Sequence, residues 1–420
     1  MFCGLGPAHR SKFFEMADIL QARVADAKST KEDVHLLQVS LGVNFSRDGL
    51  LFDADLRERG VAKPISGTVW DWMHVLVSNG VGNLESEKFI AALIEEGVPC
   101  KQLDEFVSQF KGVQGFSGGH LPGDFFQTRY KKDSSGLRAF ASEMLSVLPL
   151  MRMFAEMVLV PTGKMVQHTT CFATLCDIVE ILRLGDHAVE HADLLNKLIQ
   201  DHNVAFCDLY GADSAIPKLH YLLHIATVLK TQKANWSCFV TERKHKSIKR
   251  IAARSFANFT HSLTCEVLSN QAEELASNPR LYLEVFLDTP QEAAWAISEF
   301  QLIIPHCAQV HASSTATLMI GSVRRNDIVM VQCGPDSLVG AVLGFFEVTS
   351  GVENATKHFF VHVAIFRPVG PMKWHTKSTT NLLYPCGQVV ALCMYAPVGD
   401  AMIRVVPPPF KRLSDLLVII

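Results

Sequence analysis

Paired cysteines, net charge and long apolar runs are all scarce in this sequence, and each scarcity removes a class of protein. The eleven cysteines stand singly, with no C-x-x-C pair among them, so neither a disulfide framework nor a zinc finger of the usual spacing is encoded. Thiols used in this way are small apolar residues of a protein kept in a reducing compartment. The formal charge is only −3 and the sequence pI is about 6.6, so any affinity for a polyanion has to rest on a local patch. No uninterrupted apolar run reads as long enough to cross a bilayer, and the first residues, MFCGLGPAHRSKFFEM, lack the apolar core of a signal peptide. A soluble protein is expected, neither secreted nor tied to a membrane. The glycine-rich stretch Gly115–Gly123 has no Lys-Ser/Thr pair to hold nucleotide phosphates and reads as a flexible connection.

What is present is enough apolar material for real cores. Hydrophobic residues make up 48% of the 420, and that length suits two or three domains. In residues 1–60, Phe13–Ala25 and Asp33–Val43 carry helical periodicity, and a turn at Arg47-Asp48-Gly49 leads to Asp53. Across 61–280, apolar residues recur at i, i+3 and i+4 in Ser86–Glu96, Gln102–Phe110, Gly136–Val158, Phe172–Leu184, His187–Cys207, Leu219–Lys230, Glu242–Arg254 and Thr260–Ala276, which predicts a mostly helical body. Cys171, Cys176 and His261 fall on the apolar faces of these helices and read as packing. From Phe286 onward the composition turns to short β-branched and aromatic runs: Asp327–Cys333, Leu338–Val348, His358–Arg367 and Gln388–Tyr395. Their spacing predicts a small antiparallel β-barrel over 286–410, and the fold class is α+β.

The richest stretch in chemical terms runs from Pro217 to Arg254. His220 and His224 stand one helical turn apart, on one face of a predicted helix, which is the spacing of a metal-ligand pair. Buried, hydrogen-bonded histidines in an apolar helix fit KLHYLLH equally well. After a loop, Glu242 opens a basic helix bearing Arg243, Lys244, Lys246, Lys249, Arg250 and Arg254. A carboxylate among so many cations suits a site that handles a divalent metal and a polyanion such as nucleic acid. Further upstream, Asp71 and His74 are three residues apart and face the same way in a helical turn. Asp71 there is either a metal ligand or the N-cap of the apolar helix Trp72–Val77, and one carboxylate can do both.

The K-x-H-x-L-x-H string at Lys218–His224, the E-x-K-H-K-x-x-K string from Glu242 to Lys249, and the D-x-M-H string at Asp71–His74 occur in that set and order in a known family. They resemble the end of the catalytic domain of CACTA-type (En/Spm-like) DNA transposases, in which a long helical insertion separates the D-x-M-H motif from the last catalytic glutamate. The resemblance implies an RNase H-like core that holds two divalent ions with acidic side chains, and it gives the role of third acid to Glu242. It implies a separate structural zinc on Asp71, His74, His220 and His224, without any thiol. It also implies DNA as the partner of the residues from Arg243 to Arg254, and the nucleus as the place of action, otherwise the cytoplasm.

The sequence departs from that family in one decisive respect. The first two catalytic aspartates belong on strands upstream of D-x-M-H, and nothing within the first sixty residues reads as such a strand, Asp53 being the best placed acid there. One carboxylate cannot bridge two metals, so magnesium is expected to act only if the missing acids are supplied. A truncated or domesticated transposase remnant that binds DNA without strand transfer is the leading expectation. The alternative is a non-enzymatic interaction module, in which the helical platform and the β-barrel bind another protein.

Overall fold

The computed structural model describes residues 10–41, 45–47, 49, 51–61, 69–132, 136–239, 248–249, 252, 264–269, 285–318, 320–334, 336–351, 356–370 and 372–406. It divides into two compact units, Met1–Trp70 and Asp71–Ile420.

In the first unit, α1 (Arg10–Ala25) packs on α2 (Lys31–Leu41), and a short α3 (Ala54–Glu58) follows. Ala17, Leu20 and Phe52 form a small core with Leu37, Leu41 and Phe45 against it. Thr30 and Asp33 cap α2 reciprocally: the Asp33 carboxylate accepts the Thr30 N–H at 2.9 Å, and the Thr30 hydroxyl accepts the Asp33 N–H at 3.1 Å. Asp53 has an equally local task, its carboxylate accepting the Leu56 N–H at 3.0 Å as the N-cap of α3.

The second unit opens with a single wide helical turn, Met73–Val77, followed by α4 (Val81–Glu95), α5 (Cys100–Val107), α6 (Phe125–Arg129), α7 (Ala141–Phe154), α8 (Val166–Leu182), α9 (Ala192–Tyr210) and α10 (Pro217–Gln232). Fully buried Phe89, Phe126, Phe154, Phe172 and Phe206 come from five different helices and knit the body together. The helices predicted between Ser86 and Lys230 are present with shifted ends, while Phe125–Arg129 is a helix too short for periodicity to reveal. The predicted basic helix at Glu242–Arg254 lies almost wholly outside the described residues, as does His261.

One stretch bears on the expectation about apolar runs. Helical backbone continues from Ala141 to Thr162, and this stretch is long and apolar enough by composition to cross a membrane. It is instead a core helix, 61% buried over its most apolar window. Arg152 within it is tied to Asp177 of α8, to Glu156 at 2.6 Å and to the Ala173 carbonyl at 3.2 Å. A guanidinium committed to partners in a neighbouring helix belongs to a packed protein interior.

No strand precedes Phe286 among the described residues. The sheets comprise β1 (Phe286–Asp288), β2 (Gln291–Glu292), β3 (Cys307–Ser313), β4 (Thr315–Leu318), β5 (Gly321–Arg324), β6 (Ile328–Cys333), β7 (Asp336–Ser350), β8 (Thr356–Gly370), β9 (Lys373–Pro385), β10 (Val389–Leu392), β11 (Tyr395–Pro397) and β12 (Met402–Val405). A short helix, α11 (Ile297–Gln301), lies between β2 and β3. These strands pair antiparallel throughout, and the α+β class holds. The barrel does not. The main sheet runs β10-β6-β7-β8-β9-β12-β11, with β3 on the far half of β7, and β1-β4-β5 make a separate small sheet. Closure would require β10 to pair with β11, which it does not, and Tyr395 on that edge of β11 pairs with the helical body instead. Lys111 donates to the Tyr395 carbonyl at 2.7 Å and accepts from its N–H at 3.1 Å. The small-residue bends expected in Val339–Phe346 are real, appearing as a bulge between Val342 and Gly344 and a tight strand crossing at Gly340.

Gly80 sets the angle between the Met73–Val77 turn and α4. A Cβ there would lie 2.5 Å from the Leu76 carbonyl carbon and oxygen, and this is backbone that cannot step aside. Gly80→Ala is expected to lower the unfolding free energy by about 1–3 kcal/mol in urea titrations, as overpacking does. Gly123→Ala, with open space around it, is expected to stay within about 0.5 kcal/mol of the parent.

Candidate metal centre

The D-x-M-H segment folds as a capped turn. The Asp71 carbonyl accepts the Val75 N–H at 3.1 Å, and one carboxylate oxygen accepts the Met73 N–H at 3.1 Å. This is the capping role expected for Asp71. The same oxygen also accepts the N–H of Cys238 at 3.0 Å, a residue 167 positions away. Its other oxygen contacts His74 Nδ1, as the i, i+3 spacing predicts. The Trp72 N–H reaches the Trp236 carbonyl at 3.4 Å, and the Trp72 ring packs on Phe239 with centroids 5.3 Å apart. The segment Trp236–Phe239 is therefore fastened along the D-x-M-H turn by backbone, carboxylate and ring contacts.

These contacts bring a third ligand type to the pair. The donor atoms of Asp71, His74 and Cys238 all lie within 4.8 Å of one another, with His74 exposed and the other two half-buried. Carboxylate oxygen, imidazole nitrogen and thiol sulfur on one side of an ion form a mixed donor set that suits zinc and leaves a fourth position to fill. Nothing in the sequence points to Cys238 in this role, since an isolated cysteine in a loop gives no spacing to read. The ligand set that the resemblance implies holds no thiol, whereas this group brings in Cys238.

His220 and His224 lie on α10, which packs against the Met73–Val77 turn. Lys218, near the start of that helix, donates to the Ser78 carbonyl at 3.1 Å and the Asn79 carbonyl at 2.8 Å, locking α10 to the end of the turn. The two imidazoles face each other, Nε2 to Nε2 at 3.1 Å. Two nitrogens at about 2.05 Å from a tetrahedral zinc stand about 3.3 Å apart, so this pair is close to ligand geometry as it is. Burial lowers both imidazole pKa values, His224 further under the charge of His220, and so favours the neutral form with a lone pair to offer. The histidine pair is not part of the Asp71–His74–Cys238 group, but it stands on the helix that buttresses it.

Of the remaining predicted site residues, Glu242, Arg243, Lys244, Lys246, Arg250 and Arg254 lie outside the described residues, and Lys249 is exposed.

The chain matches no protein-family model, no curated protein and no solved structure.

The Asp71 carboxylate is the piece of this centre whose worth is measurable without any metal. Asp71→Asn keeps an oxygen for the Met73 and Cys238 N–H groups, whereas Asp71→Ala leaves both without an acceptor. With a chelator present, Asp71→Ala is expected to lose about 1–3 kcal/mol of unfolding free energy and Asp71→Asn less than half of that, measured by chemical denaturation. Equal losses would show that the carboxylate does not hold the two segments together.

Proposed function

We infer that the chain is a transposase-derived DNA-binding protein that does not itself carry out strand transfer. The observation that carries this reading is the bond from the Cys238 N–H to the Asp71 carboxylate at 3.0 Å, which draws the segment leading to Glu242 onto the D-x-M-H turn. In the family that the motifs resemble, these two regions meet beside the catalytic core.

On this reading, a structural zinc held by Asp71, His74 and Cys238, or shared with His220 and His224, pins the insertion to the core. The cations from Arg243 to Arg254 then contact DNA phosphates in the nucleus. Glu242 takes the place of a third catalytic acid, while Asp33 and Asp53 of the first unit are committed to capping helices. Two ions cannot be held by one carboxylate, so the DNA is bound and not cut.

A second reading draws on a different observation. Trp295, Leu302 and Ile303 are 68%, 89% and 58% exposed around α11, an apolar group that suits a protein partner at the edge of the sheet domain.

Two measurements decide between these readings. Duplex DNA affinity, followed by fluorescence anisotropy over a salt series, is expected to fall with salt, and the triple variant Lys246→Ala/Lys249→Ala/Arg250→Ala should flatten the slope by about one unit for each phosphate it no longer neutralises. Absence of affinity at low salt removes the DNA reading. Incubation with magnesium and supercoiled DNA is expected to give no nicking, and cleavage abolished by Glu242→Gln would overturn the non-catalytic part.

A further inference from the structure

A second set of metal-type donors lies inside the helical body, where α4, α8 and α9 converge. Glu85, Cys171 and His202 bring a carboxylate oxygen, a thiol sulfur and an imidazole nitrogen within 4.8 Å of one another. Glu85 and His202 are 0% exposed and Cys171 is 1% exposed, so no substrate reaches them. One Glu85 oxygen meets His202 Nε2 at 2.6 Å, and the carboxylate is also in hydrogen-bond contact with the Cys171 thiol. The Tyr210 hydroxyl, close enough to be influenced by the charges of Glu85 and Cys171, is buried and unpartnered. Folded proteins satisfy nearly all their buried polar atoms, and an orphaned hydroxyl near three clustered, fully buried metal-type donors points to a bound group among them.

The hydrogen bonding of His202 points the same way. Asn203 donates from Nδ2 to the Leu219 carbonyl at 3.0 Å, which fixes its amide so that Oδ1 faces His202 Nδ1 at 3.2 Å. Nδ1 must therefore carry a hydrogen, and Nε2 is the nitrogen turned toward Glu85. Metal-bound histidines are held in this way, with one ring N–H given to an oxygen and the lone pair of the other nitrogen left for the ion. A divalent ion with one thiolate, one carboxylate and one neutral imidazole sums to zero charge, which is what complete burial demands.

We propose that Glu85, Cys171 and His202 form a structural site for one zinc ion that fastens α4, α8 and α9 from within. The Tyr210 hydroxyl or the second Glu85 oxygen completes its tetrahedral shell. Binding displaces the Cys171 thiol proton and the proton held between Glu85 and His202, so zinc occupancy falls as the solution is acidified. The site is independent of the DNA-binding reading and of the surface group at Asp71.

The test uses the full chain carrying His74→Ala and Cys238→Ala, which takes the surface group out of play. One zinc per chain is expected by elemental analysis, together with a fall in melting temperature on chelation that added zinc reverses. Adding Cys171→Ala is expected to abolish that zinc. If the Cys171→Ala chain does not fold, cobalt(II) loading of the His74→Ala/Cys238→Ala chain replaces it, and a thiolate-to-cobalt charge-transfer band is expected. The proposal is overturned if that chain holds and takes up no zinc and melts alike with and without chelator, if the folded Cys171→Ala variant keeps its zinc, or if cobalt gives no thiolate band.

Discussion

The Asp71 carboxylate stands where two distant parts of the chain must be kept in register. One of its oxygens accepts N–H groups from Met73, two residues on, and from Cys238, on the far side of the whole helical body. Everything between, from the Met73–Val77 turn through α10, is a closed loop of helices whose ends this one side chain ties. Lys218 supports the same closure from the other direction by capping the carbonyls of Ser78 and Asn79. An acceptor shared by a local cap and a remote strap is costly to lose, because both donors are left unpaired at once.

The sequence is most legible where structure depends on near neighbours. His220 and His224 face each other because a helix places i and i+4 on one face, and Asp71 meets His74 by the same rule at i+3. Helix existence follows from apolar periodicity, and strands β6, β7 and β8 from β-branched runs. What the sequence hides are contacts with no local signature. Cys238 joins Asp71 across 167 positions, and Glu85 meets His202 across 117, in both cases through tertiary packing that no window of residues encodes. Glu85 gives no signal of its own among the other glutamates of Val81–Glu95, and Cys171 reads as packing because most single cysteines on an apolar face are just that.

The barrel expectation failed for a related reason. Strand content and turns are local properties, but closure is a pairing between the first and last edges of a sheet. Here Tyr395 of the edge strand β11 pairs with Lys111 of the helical body, and β10 and β11 are not bonded to each other.

The Lys111–Tyr395 pair also bears on how the two halves of this unit can be separated. A fragment cut near residue 285 would leave the backbone groups of Tyr395 facing water, on a short strand already at the rim of a long antiparallel sheet. Bare rims of this kind recruit other strands, so the excised sheet would tend to self-associate through β11. The helical body thus shields the rim of the sheet at Tyr395, and separating the two would expose that pair of main-chain groups.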